Sequence, residues 1–172
     1  MPLKPRHRFQ RFQPAACAGF TLLEVLVTVL VLSIGLLGLA GLQTTGLRSG
    51  QSAAQRSAAT QLAVDIIDRV RANPLAKDQY AANAAGSDDC LGMACTPDQM
   101  AGYDLTQWTA ALAAQLPSGE GTVCQDSSPN DGTPGNPACD ADGNAFAVKI
   151  WWDDQRTGDP DKFQLFATSF QP

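Results

Sequence analysis

The sequence predicts an α+β fold in which a long N-terminal helix, transmembrane in its first half and amphipathic in its second, packs on a small antiparallel β-sheet. Three observations predict it. The 23-residue run 20–42 is apolar except for one charged residue, Glu24, and a few hydroxyls. No proline interrupts the chain between Pro14 and Pro74. Two segments near the C-terminus, 145–152 (AFAVKIWW) and 163–170 (FQLFATSF), alternate and carry aromatic and β-branched residues, which marks strands.

The helix comes first. At 1.5 Å per residue the run 20–42 is about 35 Å long, enough to cross a bilayer. Its second part changes character. Between 48 and 72, Ala59, Leu62, Ala63, Ile66, Ile67 and Val70 recur at spacings of three and four and form one apolar stripe. Arg56, Asp65, Asp68, Arg69 and Arg71 lie mostly off that stripe. Asn73-Pro74 is the natural stop, because proline disfavours helix in the residue before it. Unbroken from residue 20 to about 72, such a helix would measure about 80 Å. Gly35, Gly38, Gly41, Gly46 and Gly50 weaken it, each by up to about 1 kcal/mol relative to alanine. Two readings of these glycines stand side by side, close helix packing in a membrane and a hinge or locally melted stretch.

The remainder forms a head. Residues 75–97 read as an irregular loop, followed by a helix over 103–116 with Leu105, Trp108, Leu112 and Leu116 on one face and Asp104 as its N-cap. Pro117-Ser118-Gly119 ends that helix, and a short strand is expected around 122–124. Residues 126–139 are dense in Pro, Gly, Asn, Asp and Ser and read as a structureless loop. The polar turn 153–162 joins the last two strands. On such a strand Trp151 and Trp152 point to opposite faces, one into the core and one outward, either under a loop or onto a partner.

Upstream of the apolar run lies a basic leader with Lys4, Arg6, Arg8 and Arg11 and no acidic residue, closing in Ala16-Cys17-Ala18-Gly19. Positive charge on that flank keeps it cytoplasmic. An ordinary secretory signal is cut after its apolar region, whereas here the small-residue site precedes it. The expected organisation is therefore a leader, 1–19, a transmembrane half-helix, 20–42, an amphipathic half-helix, 43–73, and a translocated head, 74–172. Without the four basic residues of the leader, 8 basic residues face 17 acidic ones, a net charge of −9. That balance argues against nucleic acid as a partner, since non-specific binding needs a basic surface.

Cysteine usage agrees with export. Cys17 falls in the leader, leaving Cys90, Cys95, Cys124 and Cys139 on the side where disulfides persist. Three pairings exist. The local one, Cys90–Cys95 with Cys124–Cys139, is favoured because each pair closes a loop rich in turn-forming residues. The spacings match no common zinc finger or ribbon, and the one histidine, His7, lies in the leader. Asp140, Asp142 and Asn144 alternate as the oxygen ligands of a calcium loop do, but Trp151 stands where the bidentate glutamate belongs. This leaves a weak calcium candidate beside the plainer reading of a solvated turn. No serine or cysteine sits beside a base in a recognisable catalytic arrangement, so no enzyme and no cofactor is expected.

The sequence Gly19-Phe20-Thr21-Leu22-Leu23-Glu24 followed by an apolar helix resembles the class III signal of type IV pilins and type II secretion pseudopilins. That resemblance implies cleavage between Gly19 and Phe20 by a prepilin peptidase and N-methylation of Phe20. It also implies an anchor in the bacterial inner membrane with the head periplasmic, and later residence in a pilus at the cell surface. Glu24, the fifth residue beyond the cut, would pair with the N-terminal amine of a neighbouring subunit and set its register. The segment 33–43, the run Arg71-Ala72-Asn73-Pro74, the 104–117 helix and Ile150-Trp151-Trp152-Asp153 further resemble the PilV family of minor pilins. Major pilins often carry a proline in the span where this chain has Gly41, and a late cysteine that this chain lacks. Partners implied are other minor pilins, the major pilin and a tip adhesin. A pseudopilin of a secretion system and a calcium-dependent binding head are the competing expectations.

Overall fold

The computed structural model describes residues 19–84, 86, 89–92, 94–142 and 144–172. The leader, with Lys4, Arg6, His7, Arg8, Arg11 and Cys17, lies outside the described residues. Two compact units are distinguished, one ending at Thr45 and one spanning Gly46–Pro172, and helix α1, Leu22–Ala72, contributes to both.

In the first unit α1 is apolar on every side and exposed on every side. None of its most hydrophobic 18-residue window is buried. A helix of this kind is stable only in lipid or among other apolar helices. Gly35, Gly38, Gly41, Gly46 and Gly50 all lie within helical backbone, each with nothing within 4 Å of the place a Cβ would take.

The second unit is an α+β domain built on the rest of α1. Ala59, Leu62, Ala63, Ile66, Ile67 and Val70 are all buried, so the stripe read from the spacing is the face that packs. Burying a Leu, Ile or Val side chain contributes roughly 1.5–3 kcal/mol each, which makes this stripe the foundation of the head. Against it packs α3, Pro97–Gln115, through Ala101, Leu105, Trp108 and Leu112. Strands β1 (Glu120–Gln125), β2 (Phe146–Trp152) and β3 (Gln164–Phe170) form one antiparallel sheet in the order β1-β2-β3. Val123, Phe146, Val148, Ile150, Trp152 and Phe170 join the helices in the core. At Gly121 the close approach of α3 leaves no room for a side chain: a Cβ would sit 2.6 Å from Trp108 Cη2 and 2.7 Å from Leu112 Cδ1.

Four expectations are corrected. First, α3 begins six residues earlier than the apolar spacing indicated. Thr96 is its cap, accepting from Gln99 N while the Gln99 side chain accepts from Thr96 N, and Pro97 follows at the first helical position. Asp104 is therefore no N-cap but a buried residue inside the helix. It accepts from Arg69 Nη1 of α1 at 3.0 Å and from Tyr80 Oη at 2.5 Å. Second, the stretch after α1 is not wholly irregular, because a single turn, Pro74–Ala76, leads into the short helix α2, Lys77–Ala81, which buries Tyr80. Third, the partner-anchor reading of the outward tryptophan falls: Trp152 joins the core, and Trp151 on the other face is covered too, at 3% exposed, as the loop reading expected. Fourth, residues 126–139 are not structureless. They reach the far face of β2 at Lys149, while Phe146, Val148, Ile150 and Trp152 face the core, and all seven residues of that strand are buried.

Candidate assembly site and the clamp on the head

The N-terminal end of α1 is built from its first turn. The Thr21 hydroxyl accepts from Glu24 N at 3.2 Å, which caps the helix start. Glu24 sits in that first turn, where the positive end of the helix dipole favours a carboxylate. The other polar side chains of the apolar stretch turn back on their own helix. Thr28 Oγ1 donates to Val25 O at 2.8 Å and Ser33 Oγ to Val29 O at 2.7 Å, so neither needs a partner in lipid. The Glu24 carboxylate differs from both, as it meets no partner among the described residues. Gly19 and Phe20, the residues flanking the expected cut, are exposed and precede the helix. Among the described residues nothing lies within 4 Å of the place a Gly19 Cβ would take.

The second chemical centre is on the head. Lys149 lies mid-strand in β2, paired with Thr122 of β1 and Ala167 of β3, and its side chain is fully buried. A lysine so placed must be compensated. Its ammonium meets the Asp126 carboxylate, also fully buried, and donates to Asp131 Oδ1 at 2.8 Å and Pro137 O at 2.7 Å. All three acceptors come from the covering loop, so the lysine pins that loop to the sheet from below. Burial pushes the Lys149 ammonium down, but its bonds to Asp126 and Asp131 outweigh this and hold it above the usual 10.5. The same bond from Lys149 holds Asp131 below the usual 3.8.

The cysteines stand around this clamp and in the α2–α3 connection. Cys124 of β1 is bonded to Cys139 of the loop, with Cα atoms 6.2 Å apart, and Cys90 to Cys95, at 5.5 Å. Cys124, Asp126 and Cys139 cluster closely enough to hold a metal, but with the two sulfurs joined they offer no thiolate. Asp140 of the calcium candidate is already engaged: it accepts from Ser127 N and Oγ and, at 2.9 Å, from Asp142 N. These bonds make an Asx turn that closes the loop, and hold Asp140 below 3.8. Gly143, inside the same candidate, lies outside the described residues.

Sequence reasoning missed Lys149, Asp126 and the Arg69–Asp104–Tyr80 triad. For Lys149 a signal was present, since an isolated lysine amid AFAVKIWW in a central strand needs a buried counter-charge. Its partners are 18 and 23 residues upstream.

The sign of the pH dependence follows from these shifts. Asp131, Asp140 and Asp153 are all depressed, the last chiefly by the Gly158 N–H, so each stabilises the fold above 3.8 and ceases to as pH falls through its lower folded value. Lys149 is raised, so its contribution is complete below 10.5 and is lost only as pH climbs past its folded value. The melting temperature of the full chain in detergent should therefore be level between about pH 5 and 9 and fall below about pH 4. Circular dichroism at successive pH values checks this, and a decline already evident between 7 and 9 would contradict it.

Residues 14–40 match the prokaryotic N-terminal methylation motif. Residues 41–106 match a family described as Tt1218-like, the type IV pilin Tt1218. Neither a curated protein nor a solved structure matches the chain. The adjoining matches, with the long apolar helix and the small antiparallel sheet, support a type IV pilin role for a chain that carries a prepilin methylation motif. Within that class its likeness is to the Tt1218-like pilins. It is a structural protein and a substrate of processing, not an enzyme.

Proposed function

We propose that this chain is a minor pilin that takes part in priming, assembly and tip structure of type IV pili. The observation that carries this reading is the lone carboxylate of Glu24 at the start of a wholly exposed apolar helix. A charge in that setting is costly in lipid and more costly in a dry helix bundle unless a cation meets it. The N-terminal amine freed by cleavage between Gly19 and Phe20 is such a cation, carried by every neighbouring subunit. In this reading the leader 1–19 stays cytoplasmic until removed, 20–42 anchors the chain in the inner membrane, and the head is periplasmic. Helix-to-helix contact with other minor pilins and the major pilin then replaces lipid, and a tip adhesin is a further partner. The PilV-like features of the sequence and the covered, disulfide-bonded head favour the pilus over the alternative, a type II secretion pseudopilin.

The test begins with Gly19→Val. A branched side chain before the cut should block processing, leaving residues 1–19 attached and the protein confined to the membrane. Mass spectrometry reads the terminus, and immunoblots of sheared pili read incorporation. The wild-type chain is expected in the pilus fraction at a small ratio to the major pilin, with methyl-Phe20 at its terminus. Wild-type protein absent from pili but required for secretion would reassign it to the pseudopilins, and a mature terminus on the Val variant would refute the cleavage site.

A further inference from the structure

Lys149 and Asp126 are placed for more than an ion pair. Both side chains are fully buried, their charged ends are in direct contact, and a second carboxylate, Asp131, holds the same nitrogen at 2.8 Å. Asp126 sits immediately after β1 on the face that carries Thr122 and Cys124. Lys149 is level with Thr122 in the register, four positions before Asp126, and the two side chains reach along the strand to meet. The Asp126 carboxyl is itself fixed: Oδ1 accepts from Ser128 N at 2.9 Å, and Oδ2 meets no partner among the described residues apart from the lysine. An amine and a carboxyl are thus held together out of water beneath the covering loop, with a proton carrier, the half-exposed Asp131, at the edge of the site.

We propose that Lys149 and Asp126 condense to an intramolecular isopeptide bond, with Asp131 moving the protons. The balance needs no other reagent. One proton passes from the Lys149 ammonium to the Asp126 carboxylate, giving an amine and a carboxylic acid. The ion pair is the resting state, so this transfer is an uphill first step, and burial of both groups lowers its cost. The amine lone pair attacks Asp126 Cγ, and the carboxyl oxygen facing Ser128 N takes up negative charge beside a backbone donor. Asp131 accepts the proton that the nitrogen sheds and passes it to the departing hydroxyl. The Cγ–O bond breaks, one water leaves, and the Nζ–Cγ amide remains. Proximity supplies the driving geometry, because two reactants held in contact need no encounter. Departure of water to solvent past the half-exposed Asp131 and the loss of two buried charges favour the product. The bond would join β1 to β2 beside the Cys124–Cys139 disulfide, closing the covering loop by a link that reduction cannot open.

The test is peptide mass spectrometry of the full chain purified from membranes, after denaturation, reduction and alkylation. Because no lysine or arginine lies between 77 and 149, the expected product is tryptic peptide 78–156, uncut after residue 149 and one water lighter than the same linear peptide. Peptides 78–149 and 150–156 at full mass, from protein whose disulfides were intact before reduction, would overturn the proposal. Two variants sharpen it. Asp126→Asn should give a product of the same final mass as wild type, having lost ammonia in place of water. Asp131→Asn keeps a hydrogen-bonding group but cannot carry the proton, and should slow bond formation by about 10²-fold or more. An Asp131→Asn chain that cross-links at the wild-type rate would remove Asp131 from the mechanism. Lys149→Arg preserves the charge pairing and must show no link at all.

Discussion

Glu24→Leu is expected to enter the membrane as well as the wild-type chain and yet disappear from sheared pili. Insertion depends on the apolar surface of α1, which runs exposed from Leu22 to Leu47 and gains another apolar side chain in this variant. In the proposed reading, incorporation depends on the carboxylate. When subunits exchange lipid for one another, the amine of Phe20 must be neutralised inside the bundle. Removing one partner of a buried pair typically costs 3–5 kcal/mol, or about 10²-fold or more in occupancy. Glu24→Gln should fall between, keeping a hydrogen-bond acceptor while losing the charge. Membrane fractionation followed by immunoblotting of sheared pili separates the two steps. Wild-type levels of Glu24→Leu in the filament would show that the register is set elsewhere.

How much of this was legible in the sequence depends on the range of the interaction. Periodicity is a local signal, and the stripe Ala59, Leu62, Ala63, Ile66, Ile67 and Val70 was readable because each residue lies three or four from the next and all face one core. The three strands were readable from alternation and composition for the same reason. The start of α3 was local as well, but was overlooked. Thr96-Pro97-Asp98-Gln99 is a capping box with proline at the first turn, and its neighbour Cys95 drew the segment into a loop reading. The interior position of Asp104 was hidden, because nothing adjacent in sequence shows that Arg69 and Tyr80 will meet it there. The organisation of 126–139 was hidden for that reason too. Its turn-rich composition is real, but the element that orders it is Lys149 in another strand. For the assembly end, the motif around Gly19, Phe20 and Glu24 was plain in the sequence. What the structure adds is that the neighbouring hydroxyls satisfy themselves and the Glu24 carboxylate does not.

Trp108→Ala should be the most damaging single change to the head, lowering its stability by about 3–5 kcal/mol. Trp108 is 0% exposed and stands where three elements converge. It projects from α3, its indole Nε1 donates to Leu62 O of α1 at 2.9 Å, and its ring tip occupies the space that Gly121 of β1 leaves open. Truncation removes the ring's burial and leaves a cavity that rigid neighbours cannot fill. Gly121 has no side chain to move in, and Leu62 is held by its own helix. The lost hydrogen bond is the smaller part, because Leu62 O also lies within the backbone ladder of α1 and is not orphaned. Trp108→Phe isolates that part: it retains most of the volume and should cost about 1–2 kcal/mol. Urea unfolding followed by far-ultraviolet circular dichroism measures both, and a shifted midpoint at constant slope would mark a change in stability alone. A loss below about 1 kcal/mol for the alanine variant would mean that α1, α3 and β1 hold together without this ring. The core of the head would then rest on the Ile66–Val70 end of the stripe and on β2.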